Sequence, residues 1–334
     1  MKKLFLLLVL AAALGGCVQE SSQQASQPTA PATATLQPTL SATPIPLKTR
    51  GETIPSDAVK MTPETDSYPP VLHSDEWNEP QPAGPPVNTA GAEDSPFITP
   101  DGSTLYFFFT PDVRVPVERQ LLDGVTGIWV STRQGTTWAE PTRVVLQDAG
   151  KLSLDGCEFV QGNTMWFCSA REGYAGIHWF TARHENGAWT EWTNADFKPE
   201  YEVGELHFSR DWNEVYFHSP RAGGKGQLDV WFSRKQDGEW QEPQNIEIVN
   251  TPENEGWPFL SQDGSELWFL RTYDGSPALF RSKKTNETWA GPELIISSFA
   301  GEPTLDNEGN LYFVHHFYEN GRMIEADLYV ARKK

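Results

Sequence analysis

The sequence is poor in cysteine, in basic residues and in long apolar runs, and each shortage closes a class. Three cysteines in 334 residues are too few for a disulfide scaffold or a cysteine-rich zinc module. Lys plus Arg number 26 against 45 Asp plus Glu, a formal charge of −19. A chain that acidic repels phosphate backbones, so general nucleic-acid binding is excluded. No Gly-x-Ser-x-Gly, phosphate loop or dinucleotide fingerprint is present, and His207, His218, His315 and His316 lack metal-ligand spacing. The apolar run Leu4–Leu14 is shorter than the ~18 residues of a spanning helix. What the chain does have is aromatic mass: 12% aromatic residues, 13 of them Trp, and 38% hydrophobic residues overall, which is enough for a packed core.

Met1-Lys2-Lys3, the short apolar run and Gly15-Gly16-Cys17 read as a secretory signal over residues 1–17. Leu14-Gly15-Gly16-Cys17 resembles the bacterial lipobox, which implies cleavage before Cys17, lipidation of its thiol and a place in the cell envelope, facing outside the cytoplasm. The acyl chains would then be the membrane contact. Residues 18–66 are rich in Ser, Thr, Pro and Gln and nearly free of branched and aromatic side chains. Such a segment cannot offset its conformational entropy by burial and is expected to be a disordered tether. Residues 1–66 carry five bases and five acids, so the whole negative charge belongs to the body, residues 67–334.

The body repeats one phrase: a short strand, a turn, an aromatic strand, a loop, a third strand, then Trp-x-x-Pro. The first copy runs Ser95-Pro96-Phe97-Ile98, Pro100-Asp101-Gly102, Leu105-Tyr106-Phe107-Phe108, Gly127-Ile128-Trp129-Val130-Ser131 and Trp138-Ala139-Glu140-Pro141. Later copies carry Phe159, Phe208, Phe259 and Leu305 in the first strand, and Trp189, Trp240 and Trp289 at the Trp-led segment. Glycine at the turns permits positive φ, aromatic and β-branched residues suit a pleated surface, and proline belongs at a sheet edge. No amphipathic helix pattern interrupts them. The fifth copy ends without its Trp-led segment, and Trp77-Asn78-Glu79-Pro80 stands spare before the first. The expectation is an all-β, five-bladed β-propeller closed by that N-terminal strand joining the last blade.

These repeats resemble the WD40-like propeller repeat of the TolB type. The likeness rests on the Asp-Gly turn, the aromatic second strand, Ser169-Ala170-Arg171-Glu172-Gly173 and the Trp-x-Glu-Pro edge, with Trp192 departing from it where Pro is expected. It implies a periplasmic or surface module for binding and assembly, and no particular activity.

Every copy places an acid three or four residues before the apolar residue of its first strand: Glu93 and Asp94, Asp155, Glu205, Glu255 and Glu302. The second strands end on Arg171, Arg221, Arg271 and the pair His315-His316. Three readings stand. The acids staple neighbouring blades by pairing with Arg or backbone N–H groups. They bind a ligand or a hard cation such as Ca²⁺, which carboxylate oxygens suit. Or they catalyse, as five-bladed furanoside-cleaving glycosidases do with three acids around such a channel; Asp94, Glu158 or Asp155, and Glu205 would then serve as acid and base. The sequence reading favours non-catalytic binding of a protein partner or an envelope glycan on this acidic face, with no resident cofactor and no nucleic acid. Glycoside hydrolysis is its alternative. Cys157 and Cys168 fall opposite each other across a tight hairpin, where a disulfide and a buried free pair both fit.

Overall fold

The computed structural model describes residues 48–196 and 204–334. Cys17, the signal segment and most of the expected tether lie outside the described residues, so lipidation has no structural counterpart here. The described chain is almost wholly β, with one short helix, Val117–Gln120.

Among the described residues the strands form four hydrogen-bonded sheets; sorted by inner strand they fall into five groups of antiparallel pairs, the first and fifth lying in one sheet through a single parallel bridge. Their inner strands are Ala92–Ile98, Ser153–Gln161, Leu206–Phe208, Glu255–Leu260 and Ala300–Leu305. Each pairs with a second strand and that with a third, as in Ala92–Ile98, Thr104–Thr110 and Gly127–Gln134. The inner strands of successive groups touch one another, and the fifth touches the first. Residues from all five line one central cavity. This is an all-β, propeller-type body.

Proline explains the outer strands in more detail than the sequence reading foresaw. In groups one, three and four the Trp-led piece is a two-residue extension of the third-strand hairpin: Thr137–Trp138, Glu239–Trp240 and Thr288–Trp289. The outermost strand begins only after Pro141, Pro243 or Pro292, as Thr142–Arg143, Gln244–Asn245 and Glu293–Ser297. A proline has no N–H to give to the ladder and splits the strand in two. Group two has Trp192 in place of proline, and its outer strand runs unbroken from Ala188 to Asn194.

The N-terminal part of the body pairs with its end. Gln81–Pro82 pairs with Val330 and Tyr329, and Trp77 bridges Lys333. Val71–Leu72 adds a further strand to group four, against Ser297 and Ile296. Groups five and one also share a single parallel bridge, Ala326 to Ala92. The tether boundary at residue 66 needs correction: within residues 48–66, the Arg50 side chain is 2% exposed, and Lys60 reaches Glu325 and Asp327. Composition hid this, because the segment is anchored by three charged side chains, Arg50, Lys60 and Asp66, the last 2.8 Å from His315, and by only two apolar ones, Ile54 and Met61.

Cys157 and Cys168 form a disulfide. Their register is offset by one from the sequence expectation. Cys168 faces Gly156, and Cys157 sits in a bulge between Gly156 and Phe159.

Candidate active site

The same bulge recurs in the inner strands. The register shifts between Asp94 and Phe97, Gly156 and Phe159, Gly256 and Phe259, and Gly301 and Thr304. Ser95, Cys157, Trp257 and Glu302 occupy it at φ of 45°, 56°, 52° and 57°. Side chains rarely adopt that region, and bulges re-aim the residues they hold. Glu205 takes the corresponding place in group three, two residues before His207, which pairs with Tyr216 as Phe97 pairs with Tyr106.

One residue of offset around this bulge separates the acids into two populations, because adjacent strand positions face opposite sides. Two residues before the bulge stand Glu93, Asp155 and Glu255, each fully buried and each on an arginine: Arg50 at 3.0 Å, Arg171 at 2.8 Å and Arg271 at 2.8 Å. Asp155 also accepts from Ser153 and Ser169. These are staples. Asp155, Glu255, Arg171 and Arg271, which the sequence reading offered to a ligand, satisfy one another inside their groups. The Arg171 and Arg271 guanidiniums also lie over the Phe180 and Phe280 rings, at 4.1 and 4.5 Å. Arg221 lies over Phe217 and Trp231.

The second population faces the channel. Glu302 is at the bulge and Glu205 at the matching position of group three, Asp94 is one before it, and Glu158 is one after it. The position before the bulge is Gly156, Gly204, Gly256 or Gly301 in the other groups. At Gly204 a Cβ would meet His218 Nε2 at 1.9 Å, so small size is required there. Asp94 is the exception and points its Oδ1 at His316 Nε2, 3.6 Å away. The position after the bulge is Pro96, Pro258 or Pro303 in three groups and Glu158 in group two.

No ion pair joins Glu158, Glu205 or Glu302 to a cation among the described residues. Burial pushes the Glu158 carboxyl well above the usual range; the charges of Glu205 and Asp94 add to this, and that of Arg143 opposes it. Both Glu158 carboxyl oxygens lack a hydrogen-bond partner among the described residues. Burial likewise raises Glu302, helped by Asp94 and Glu205, and raises Glu205 to about 8. Ser95 Oγ lies 2.9 Å from Glu205 Oε1 and 2.6 Å from Glu302 Oε2. One hydroxyl has one proton to give, so both contacts are hydrogen bonds only when one of the carboxyls is itself protonated and donates to Oγ. Geometry and burial thus agree on neutral acids.

These groups border a void of about 30 Å³ lined by Ser95, Glu158, Glu205, His207, Trp257 and Glu302. A void takes one water from ~10–15 Å³ upward. Below it His207 lies 4.6 Å from the rings of Phe159 and Phe259. Burial holds its imidazole neutral, down to about 3, and neither ring nitrogen has a partner among the described residues. The larger clefts, such as that of about 560 Å³ along Ser209–Glu214 and Gln262–Gly264, lie away from the channel acids.

Sequence reasoning missed Ser95, His207 and Trp257. The legible signal was the break in the repeat: the Phe97, Phe159, Phe259 column reads His207 in group three, and the residue before Pro96, Pro258 and Pro303 marks the bulge.

No family model matches the chain, and no curated protein matches it. Solved structures similar to it include the catalytic domain of a GH62 alpha-L-arabinofuranosidase from Coprinopsis cinerea, at 9% identity over 79% of this chain and 98% of that one, TM-score 0.47. Bacteroides ovatus Xyloglucan PUL GH43B is similar at 12% identity over 76% of this chain and 54% of that one, TM-score 0.44. A TolB from Agrobacterium tumefaciens is similar at 15% identity over 74% of this chain and 92% of that one, TM-score 0.37. Likeness at this level concerns architecture. The expectation that the chain is not an enzyme is withdrawn on the site itself: Glu158, Glu205 and Glu302 border one void, and both Glu158 carboxyl oxygens lack a hydrogen-bond partner among the described residues.

Proposed function

We propose that the protein is a lipid-anchored glycoside hydrolase, held outside the cytoplasm through Cys17, whose channel carboxyls act as acid and base on a glycan of the envelope or its surroundings. Its body is read as five blades closed by residues 77–82; the pairing of Trp77 with Lys333 and of Gln81–Pro82 with the last strand supports this. The single observation that carries the reading is the set Glu158, Glu205 and Glu302: acids in no ion pair among the described residues, bordering a water-sized void close to Asp94. General acid catalysis needs a carboxyl that keeps its proton near neutral pH, and burial beside other acids is how a protein makes one.

Glu205, the member of the three that is partly exposed, donates its proton to the glycosidic oxygen as the bond to the leaving sugar breaks. Glu302 shares that proton through Ser95. Asp94 is oriented by the Ser95 N–H at 2.9 Å and by His316, and takes the proton of the water that adds to the anomeric carbon.

The test is a panel of chromogenic aryl pyranosides and furanosides with wild type and Asp94→Asn. The expected result is turnover of at least one by wild type and a loss of about 10²-fold or more in the variant, the scale of one acid–base group. No turnover across the panel, or equal turnover by both proteins, overturns the reading.

A further inference from the structure

We infer that residues 48–66 are a strap that completes the first and fifth strand groups and sets the Asp94–His316 pair at the channel. Groups two and four show what a complete group holds: a buried acid, an arginine from the second strand, and two aromatic rings facing each other across the second and third strands. In group two these are Asp155, Arg171, Phe167 and Phe180; in group four, Glu255, Arg271, Phe269 and Phe280.

Group one has the acid, Glu93, and the rings, Phe107 and Trp129 in the same register, but its second strand ends at Thr110 without an arginine. Arg50 supplies it. Its guanidinium lies 5.4 Å from the Phe107 ring and 5.6 Å from that of Trp129, donates to Val87 O at 2.6 Å and pairs with Glu93 at 3.0 Å.

Group five lacks the other half. Ala300 stands where the acid belongs, and His315 takes the place of the arginine, 5.3 Å from the Tyr329 ring. Asp66 supplies the acid, 2.8 Å from His315 Nε2. Between these anchors Lys60 pairs with Glu325 and Asp327, both buried. A buried charge without a partner is costly, so each group depends on the strap for what its own sequence omits.

The anchors lie next to the channel along the chain. Arg50 holds Glu93, whose neighbour is Asp94. Asp66 holds His315, whose neighbour is His316. Asp94 and His316 are the two that face each other at 3.6 Å, at a seam where groups five and one share one backbone bridge. Docking of the strap therefore fixes both sides of that pair, and Arg50 and Asp66 are positioning residues. The docking stands apart from the hydrolytic reading; only an effect on turnover rests on it.

The test uses the full chain with Arg50→Met, Asp66→Asn and the double variant Arg50→Met/Glu93→Gln. Three quantities are read: Tm, tryptic cleavage after Lys60, and the ring resonances of His316. Arg50→Met is expected to lower Tm by roughly 6–12 °C, on the scale of breaking a buried pair, to admit cleavage after Lys60 and to shift the His316 resonances. Glu93→Gln in the same chain restores about half of the Tm or more, because it removes the stranded charge. Asp66→Asn keeps the shape and gives a smaller Tm drop with the same His316 shift, which keeps the test open should Arg50→Met not fold. Cleavage with unchanged His316 resonances overturns the positioning role. Unchanged Tm and cleavage in Arg50→Met and Asp66→Asn overturns the strap itself. If wild type shows no glycoside turnover, the hydrolytic reading fails while these three readouts still judge the strap.

Discussion

Glu205→Gln loses about 10²–10⁴-fold of whatever glycoside turnover the wild type shows, and at pH 8.5 it melts several degrees higher than wild type. The two effects have one cause. Gln keeps the shape of a protonated carboxyl and still accepts from Ser95, but it has no proton to donate and never acquires the buried negative charge. The sign follows from linkage. Burial raises Glu205 from 4.5 to about 8, so the folded chain holds a proton that the unfolded chain releases. That contribution to stability is fully present below the unfolded value and is lost as pH rises from there through about 8. Glu158 and Glu302 titrate in the same direction. His207 and His218, held down to about 3 and about 4 by burial, act oppositely: they cost stability as pH falls below their unfolded value of 6.5. Between pH 6.5 and 8.5 the raised acids, Glu93 and Asp327 among them, outweigh the remainder of the histidine titration, so wild-type Tm falls over that interval and falls less in Glu205→Gln. Calorimetry at pH 4.5, 6.5 and 8.5 checks this. The gap between the two proteins closes toward pH 4.5; a gap that is absent or inverted at pH 8.5 contradicts the account.

Trp77→Ala is expected to cost about 3–5 kcal/mol, the range for removing a buried indole, and to lower Tm by roughly 10 °C. Trp77 is 1% exposed. Its Nε1 donates to Gly309 O at 2.9 Å, its ring meets Trp268 edge-on at 5.5 Å, and Lys333 Nζ lies 3.8 Å above it. It thereby ties the start of the body to groups four and five. Trp138 holds the same place in the first repeat, but it is partly exposed and pairs with Arg133, five residues back. Trp138→Ala should lower Tm by no more than about a third as much. Equal losses would mean that the junction at Trp77 is one contact among many.

What the sequence disclosed and what it hid follow one rule. Features that repeat were legible: the aromatic strands, the turn glycines, the spare Trp77-Asn78-Glu79-Pro80, and the acid near each first strand. Features that break the repeat were legible only in part: Glu158 stood among the candidate acids, while Ser95, His207 and Trp257 did not stand out. Glu93, Asp155 and Glu255 looked like Asp94, Glu205 and Glu302, because an acid is legible and its register against a bulge is not. The bulge depends on backbone pairing with the second strand, and a single residue decides between an arginine staple and the channel. Glu158 stood where a proline was due, and His207 where a phenylalanine was due. The strap was invisible for a related reason: its three anchors are charged residues in a polar stretch, and their partners are gaps in groups one and five rather than features of them.

The central claim, that Glu158, Glu205 and Glu302 are neutral acids near pH 7, is tested most directly by infrared difference spectroscopy of wild type against Glu158→Gln and Glu205→Gln. The account predicts a protonated carboxyl C=O absorption in wild type at pH 7, reduced in each variant. Its absence at pH 7, with the absorption emerging only on acidification toward the ordinary glutamate value of 4.5, would contradict it.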